Sequence, residues 1–293
     1  MLTMAVVGVG DMGSAVGAVL VRHGYRVVTD LTGRSAHSRR LAAGAQLEDL
    51  RSLDALIAEA DIILSILPPA VAVEFARAVA TSIEASASSP LFVECNAVAP
   101  HTVQAIQSLF AGSGAAFLDV GIVGPPPRSD RKLPTRFYVS GDGRDRLLEL
   151  GVPELRLIDM GDEIGRASAI KMTYAAMNKA TDALYTTVLM AAEQLGVRQE
   201  LVAEFESSQP AAAQRMANRI PFLAATAERY VGEMQEIAAT FERARVTPMF
   251  HRGSEWLFEQ LARTSLAEET RADLPAHRSL DEALAAFTAI LSK

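Results

Sequence analysis

Cysteine is nearly absent from this chain: Cys95 is the single thiol in 293 residues. An internal disulfide is excluded, and this usage fits a reducing, cytoplasmic compartment. Cys95 closes the apolar run PLFVEC, which reads as buried packing rather than as a nucleophile. Charge is sparse too, at 22% of residues with a net of −7. That balance leaves no basic surface for nucleic acid or an anionic membrane. Long apolar runs are also missing. The longest segment without Asp, Glu, Lys or Arg, 95–118, is interrupted by Pro100, His101, Gln104, Gln107, Gly112 and Gly114, so it does not read as a membrane span. The histidines (His23, His37, His101, His251 and His277) are scattered, with none at ligand spacing from another His or from Cys95. No metal site is expected, and His251 reads as a helix-surface residue. The amino terminus is apolar without a basic leader or a small-residue cleavage site before residue 8, so it reads as a strand rather than a signal peptide.

What is present is a two-part pattern. Nearly half the residues are apolar, and the length suits two domains with a sizeable core. Segments 2–8, 25–30, 61–67, 90–94, 115–119 and 135–140 read as strands, with helical spacing at 12–23, 35–43, 71–85 and 102–110 between them. Such alternation predicts a mostly parallel sheet covered by helices on both faces. After Asp162 the strand signal disappears. Segment 167–195 carries neither proline nor glycine and is apolar around most of its circumference, as a helix buried among helices would be. Further helices are expected at 198–207, 211–217, 220–244, 249–261 and 279–291. The expected plan is therefore an α/β Rossmann-type domain, 1–162, and an all-α domain, 163–293, joined by the long helix, with a cleft between them.

The first strand runs into Gly8-Val9-Gly10-Asp11-Met12-Gly13 and then a helix. In such a turn the first glycine permits the tight bend, the second lets backbone approach a pyrophosphate, and the third lets helix and strand pack closely. The helix N-terminus faces the phosphates with N–H groups and a partial positive charge. The placement between strand and helix at the start of a βαβ pattern is what the dinucleotide fingerprint demands.

The ribose end is mixed. Asp30, 22 residues after Gly8, is placed to accept from a ribose 2′-hydroxyl, yet Leu31-Thr32-Gly33-Arg34-Ser35 follows. Thr32, Arg34 and Ser35 suit a 2′-phosphate, because a guanidinium gives bidentate, charge-assisted bonds. Ser35 also fits as the N-cap of the next helix. The adjacent Val27 and Val28 leave the pleat of this strand open.

In the long helix, Lys171 sits among Ala167, Ala169, Ile170, Met172, Ala175 and Ala176, with no acid at helical spacing on its own helix. A lysine so desolvated has its pKa pushed down toward the range useful for proton transfer, unless it snorkels to solvent. Tyr174 and Asn178 share its helical face. Lys179, with Asp182 three residues on, reads as an ordinary paired lysine.

These residues together resemble the β-hydroxyacid dehydrogenases, the family of 3-hydroxyisobutyrate and 6-phosphogluconate dehydrogenases. The carriers are GVGDMG, ILSILPP, FLDVGIVGPP and GRASAIKM. The resemblance implies an oxidoreductase that moves a hydride between a nicotinamide cofactor and a small hydroxy acid or its carbonyl partner, with Lys171 as general acid or base. It implies cofactor contacts from residues 8–13, Leu67, Pro68 and Asn96, and substrate contacts from Val123, Gly124, Pro125 and Glu233. It also implies a homodimer.

The chain departs from its relatives in places. Ala175 stands where 3-hydroxyisobutyrate dehydrogenases have Asn, and Tyr174 where decarboxylating relatives have His. Val123-Gly124-Pro125 replaces Ser-Gly-Gly, and Glu233-Met234 replaces a Lys-Asp pair. The pattern is that of a divergent branch with a 6-phosphogluconate-dehydrogenase-like C-terminal domain, in which Tyr174 and Asn178 stand in for the missing Asn. Aligned on Gly24, the ribose-reading position falls on Leu31, which favours NADP over NAD. The alternatives are an imine reductase on the same architecture and an NADP(H)-binding sensor without turnover.

Overall fold

The computed structural model describes residues 2–86, 88–128, 130, 133–269 and 274–290. The strands are β1 (Thr3–Val7), β2 (Arg26–Thr29), β3 (Glu48–Asp49), β4 (Ile62–Ser65), β5 (Leu91–Glu94), β6 (Phe117–Val123), β7 (Thr135–Ser140) and β8 (Leu155–Asp159). They form one sheet in the order β3-β2-β1-β4-β5-β6-β7-β8. Strands β1 to β6 run parallel, β7 turns back antiparallel to β6, and β8 lies parallel to β7. The helices of this part are α1 (Asp11–Arg22), α2 (Ala36–Gly44), α3 (Leu53–Glu59), α4 (Pro69–Glu84), α5 (Pro100–Ser108) and the short α6 (Asp145–Leu148). This is the Rossmann plan the alternation predicts.

Alternation along the strands makes two cores. Met4, Val6, Val27, Leu64 and Val93 pack beneath Val16, Val19 and Leu20 of α1. Ala5, Val7, Val28, Ile63 and Phe92 pack on the other face against α3, α4 and α5. Both sides of the sheet are covered, so β1, β4 and β5 are buried along their whole length.

Four short elements, β3, α3, α6 and β8, do not stand out in the sequence. Strand β8 is an edge strand whose Arg156 and Asp159 face solvent, which removes the apolar run that marks a buried strand. Strand β6 continues to Val123, four residues beyond the expected end. Gly121 in its interior looks like a turn signal in sequence.

Helix α7 (Arg166–Gln194) carries the chain out of this part. It is followed by α8 (Arg198–Ser208), α9 (Pro210–Arg219), α10 (Ala227–Arg243), α11 (Met249–Leu261) and α12 (Leu280–Thr288). The chain divides into two compact units, Met1–Met172 and Thr173–Lys293. The second is all-α among its described residues, with Met234, Ile237, Leu257, Phe258, Leu261 and Phe287 in its core. It also buries charge. Asp182 holds Arg215 at 2.8 Å and Arg219 at 3.1 Å, and Glu233 bridges Lys179 at 2.9 Å and Arg229. The partner of Lys179 is thus Glu233 on α10 and not Asp182, whose oxygens are taken by two arginines of α9. His251 is buried rather than on the helix surface, its ring centroid 4.2 Å from that of Phe241. Burial pushes its pKa down. Among the described residues, no helix is long and apolar enough to cross a membrane.

Candidate functional site

Strand β1 ends at the glycine turn, and three glycines there have three different reasons to be glycine. A Cβ on Gly8, which has φ +97°, would lie 2.1 Å from the Ile66 carbonyl oxygen at the end of β4. A Cβ on Gly13 would lie 2.2 Å from the Gly8 carbonyl oxygen. Gly10 is the opposite case: a Cβ there would meet nothing within 4 Å. Gly8 and Gly13 are therefore required by the fold, whereas Gly10 borders open space. Gly10 also caps α1 without a side chain, and its N–H donates to Gly8 O at 2.9 Å. Val9 is buried, while Asp11 and the half-buried Met12 open the first turn of α1. An exposed glycine edge at a helix N-terminus matches the shape and sign of a pyrophosphate.

The pleat of β2 sends Asp30 and Leu31 to different sides. Val27 and Leu31 belong to the core under α1, and Val28 to the opposite core. Asp30 follows Val28 and lines a cavity of about 140 Å³ with Val7, Thr32, Arg34, Leu53 and Phe75. Leu31 is buried and takes no part in it. Neighbouring residues along a strand face opposite sides, so Asp30 rather than Leu31 faces this cavity. The Asp30 carboxylate accepts the Thr32 N–H at 2.9 Å, and Thr32 Oγ1 donates to Arg51 O at 2.9 Å. Ser35 is the N-cap of α2 and accepts the Ser38 N–H at 3.2 Å.

Beyond β4 and β5 the same edge of the sheet is tied together by Asn96. Its Oδ1 accepts the Leu67 N–H, its Nδ2 donates to Ser65 Oγ at 3.0 Å, and its backbone N–H donates to Glu94 Oε1 at 2.7 Å. Asn96 is buried and spends its side chain on the protein, with Pro68 beside it as the exposed N-cap of α4. The carbonyl of Cys95, between Glu94 and Asn96, accepts from Lys171 Nζ at 3.0 Å. A run of contacts therefore leads from the glycine turn through Ile66, Leu67 and Asn96 to Lys171.

Two features seat Lys171. Asp119 of β6 accepts from the N–H groups of Gly165 (2.9 Å) and Ser168 (3.0 Å), from Ser168 Oγ (2.7 Å) and from Ser140 Oγ (3.1 Å). A buried carboxylate from a neighbouring strand thus caps the start of α7. Burial still pushes the Asp119 carboxyl above its usual range, against these four bonds. The second feature is Gly121: a Cβ there would lie 2.3 Å from Ala167 O and 3.2 Å from Lys171 Cβ. Its missing side chain lets α7 lie on the strand.

Glu94, Asp119 and Ser168 surround Lys171 without standing out as site residues in the sequence, and Gly121, which reads there as the start of a substrate turn, lies inside β6 against α7. The available signal was an acid at or near the end of each of two otherwise apolar strands, LFVE and FLD. No acid on its own helix faces Lys171, but β5 brings the Glu94 carboxyl into its electrostatic reach. Glu94 and Asp119 are register neighbours on β5 and β6. Burial raises the Glu94 carboxyl to about 8, although the Asn96 N–H and the charge of Lys171 favour ionisation.

The remaining expected residues are spread out. Val123 is the last residue of β6, buried and paired with Arg136, so only Gly124 and Pro125 lie in the exposed turn. Thr135 Oγ1 donates to Pro125 O at 2.7 Å and holds that turn. Tyr174 and Asn178 lie farther along α7, in the second unit. Tyr174 is half exposed, Asn178 Nδ2 donates to Tyr174 O at 3.0 Å, and Arg215 donates to Asn178 O at 2.9 Å. Glu233 is buried between its two cations.

Residues 3–143 match the NAD binding domain of 6-phosphogluconate dehydrogenase, and residues 192–264 match a domain of unknown function, DUF1932. A conserved protein of unknown function, described as structurally similar to 3-hydroxyacid dehydrogenases, is 25% identical with a TM-score of 0.64, over 89% of this chain and 96% of its own. The chain is distantly related to the 6-phosphogluconate-dehydrogenase-like, 3-hydroxyacid dehydrogenase superfamily of Rossmann-fold oxidoreductases. The Mycobacterium tuberculosis 3-hydroxyisobutyrate dehydrogenase, solved with L-serine, shares its fold at 20% identity and a TM-score of 0.68, covering 97% of this chain and 98% of that one. An uncharacterised 28.5 kDa protein of Methanothermus fervidus is 25% identical over 206 residues, 69% of this chain and 76% of its own length. That relationship brings a Rossmann-fold, NAD(P)-binding oxidoreductase framework.

Proposed function

We propose that the chain is an NADP-dependent dehydrogenase or reductase acting on a small hydroxy acid or its carbonyl partner, with Lys171 as general acid and base. The observation that carries this reading is the delivery of Lys171 Nζ to the Cys95 carbonyl, 3.0 Å away, on the sheet edge where the glycine turn opens. Binding is assigned to Gly8, Val9, Gly10, Asp11, Met12 and Gly13 for the pyrophosphate, and to Thr32, Arg34 and Asp30 for the adenosine end. The open space at Gly10 and the cavity lined by Arg34 fit a dinucleotide. The nicotinamide, when bound, supplies hydride acceptance and donation.

In oxidation Lys171 takes the proton of a substrate hydroxyl as the carbon loses hydride, and in reduction it returns that proton. The Cys95 carbonyl fixes where the ammonium stands, and the Asp119 cap fixes the helix that carries it. Gly124 and Pro125 form the exposed turn assigned to the substrate. The Glu233 oxygens are engaged by Lys179 and Arg229, which fits a supporting role better than a substrate contact. Along α7 the exposed Tyr174, Met177 and Leu184 form an apolar stripe suited to a second copy of the chain, supporting a homodimer.

The test is a screen of small hydroxy acids, aldehydes, ketones and imines with both cofactors. Hydroxy-acid-linked NADP reduction that falls at least about 100-fold in Lys171→Ala supports the reading. Turnover restricted to imines would transfer the chain to imine reduction. Tight NADPH binding without turnover on any substrate would make it a sensor. Light scattering that finds a monomer would remove the homodimer.

A further inference from the structure

The carboxyl of Glu94 is buried beside the carbonyl that receives Lys171, and nothing assigned above uses it chemically. It ends a strand of purely apolar neighbours and is 1% exposed. Its Oε1 accepts the Asn96 N–H at 2.7 Å, and its Oε2 finds no hydrogen-bond partner among the described residues. One oxygen therefore shapes the turn that presents the Cys95 carbonyl, and the other has room to carry a proton.

We propose that Glu94 is a positioning residue for Lys171: its side chain holds the turn whose Cys95 carbonyl receives the lysine ammonium, and its charge sets the proton affinity of that ammonium. The inference rests on the proposed function only in calling Lys171 the acid–base residue.

The surroundings leave few other sources for such coupling. The charged groups acting on Glu94 are Lys171 from α7 and Asp119 from β6, its register neighbour. Ser65, its neighbour on β4, is neutral, and burial keeps the Cys95 thiol protonated. Asp119 is committed to four donors at the start of α7 and at Ser140, whereas Glu94 accepts only one. Burial raises both carboxyls, Glu94 to about 8, and four donors oppose the rise at Asp119 where one opposes it at Glu94. Below that pH the lysine faces a neutral acid, and above it an anion. Interaction of this kind makes the two groups titrate as a pair rather than singly.

The chain contains only four lysines, Lys132, Lys171, Lys179 and Lys293, so lysine labelled with ¹³C at Cε gives an assignable spectrum with Lys171→Arg as the reference. In the full-length protein the Lys171 signal is expected to show two inflections, the earlier near pH 8. In Glu94→Gln, the isostere of the protonated acid, the earlier inflection disappears and the remaining midpoint moves down by at least one pH unit. If Glu94→Gln does not fold, Glu94→Asp keeps the acid but shifts it from the Asn96 N–H, so the earlier inflection moves. A single inflection in the unmodified protein overturns the proposal. So does a two-step curve unchanged by either variant, which would point to Asp119. This readout needs no turnover. If no substrate is ever found, the proposed function fails while the coupling stands or falls on its own curve. Where turnover is found, kcat/KM should lose its inflection near pH 8 in Glu94→Gln.

Discussion

Gly121 and Ala167 meet backbone to backbone: a Cβ on the glycine would sit 2.3 Å from the alanine carbonyl oxygen. That contact sets how closely α7 lies against β6, and Lys171 rides on the next turn of α7. Gly121→Ala should therefore push the helix start away from the strand and loosen the Asp119 cap. The expected cost is about 1–3 kcal/mol for overpacking at a backbone contact. Calorimetry should show a lower Tm, accompanied by loss of Lys171-dependent turnover with NADPH affinity nearly retained. A Gly121→Ala protein with unchanged Tm would mean that this packing is not tight.

The glycine turn separates into fold and ligand roles. Gly13→Ala places a methyl 2.2 Å from Gly8 O and should lower stability strongly. Gly10→Ala meets nothing in the protein and should leave Tm within a degree or two. It should weaken NADPH binding by roughly tenfold or more, because the added methyl occupies the pyrophosphate approach. Titration calorimetry beside thermal unfolding distinguishes the two. Equal damage from both variants would undo the assignment of Gly10 to the ligand.

Asp30 and Arg34 line one cavity and oppose each other in cofactor choice. Removal of the guanidinium in Arg34→Ala should weaken NADPH by about tenfold and leave NADH nearly unchanged. Asp30→Asn removes the charge that repels a 2′-phosphate and should strengthen NADPH. Paired dissociation constants for both cofactors check this, and a variant pair that moves NADH and NADPH equally would contradict it.

Glu94 makes stability depend on pH in a stated direction. Its carboxyl is raised from 4.5 to about 8 in the folded chain, so the folded state binds the proton more tightly than the unfolded one. The stabilising contribution is present at low pH and is lost as pH rises through that window, with a slope of up to about 1.4 kcal/mol per pH unit. Glu94→Gln has no such proton to lose. Urea midpoints at pH 6, 7 and 8 should therefore rise for the variant relative to the unmodified protein. Parallel pH curves would show that Glu94 is ionised throughout.

In the second unit, Asp182 has a side chain only 2% exposed and neutralises Arg215 and Arg219. Asp182→Ala removes the shared partner of two arginines that are themselves 34% and 52% exposed. Solvent takes up part of the lost pairing, so the expected cost is about 1–3 kcal/mol. Loss of protection from proteolysis and hydrogen exchange should begin in α7 and α9. A variant as resistant as the parent would show that the arginines find water at no cost.

Much of this molecule was legible in the residues alone. Burial on both faces makes parallel strands continuous apolar runs, and α7 has neither proline nor glycine over its whole length, so both kinds of element declare themselves locally. The glycine turn and Lys171 stand out for the same reason, because their spacing or solvent mismatch is a property of neighbouring residues. Tertiary structure decided the rest. Which of Asp30 and Leu31 faces the cavity depends on the pleat of β2, which an adjacent pair of valines leaves open in sequence. Lys179 pairs with Glu233 from 54 positions away, and Asp182 with two arginines of another helix. Lys171 meets the Cys95 carbonyl and the charge of Glu94 on a strand that spacing along its own helix cannot reveal. Each of these relations is set by distances across space, where a carboxyl in a dry interior is felt by any charge brought near it, whatever its place in the chain.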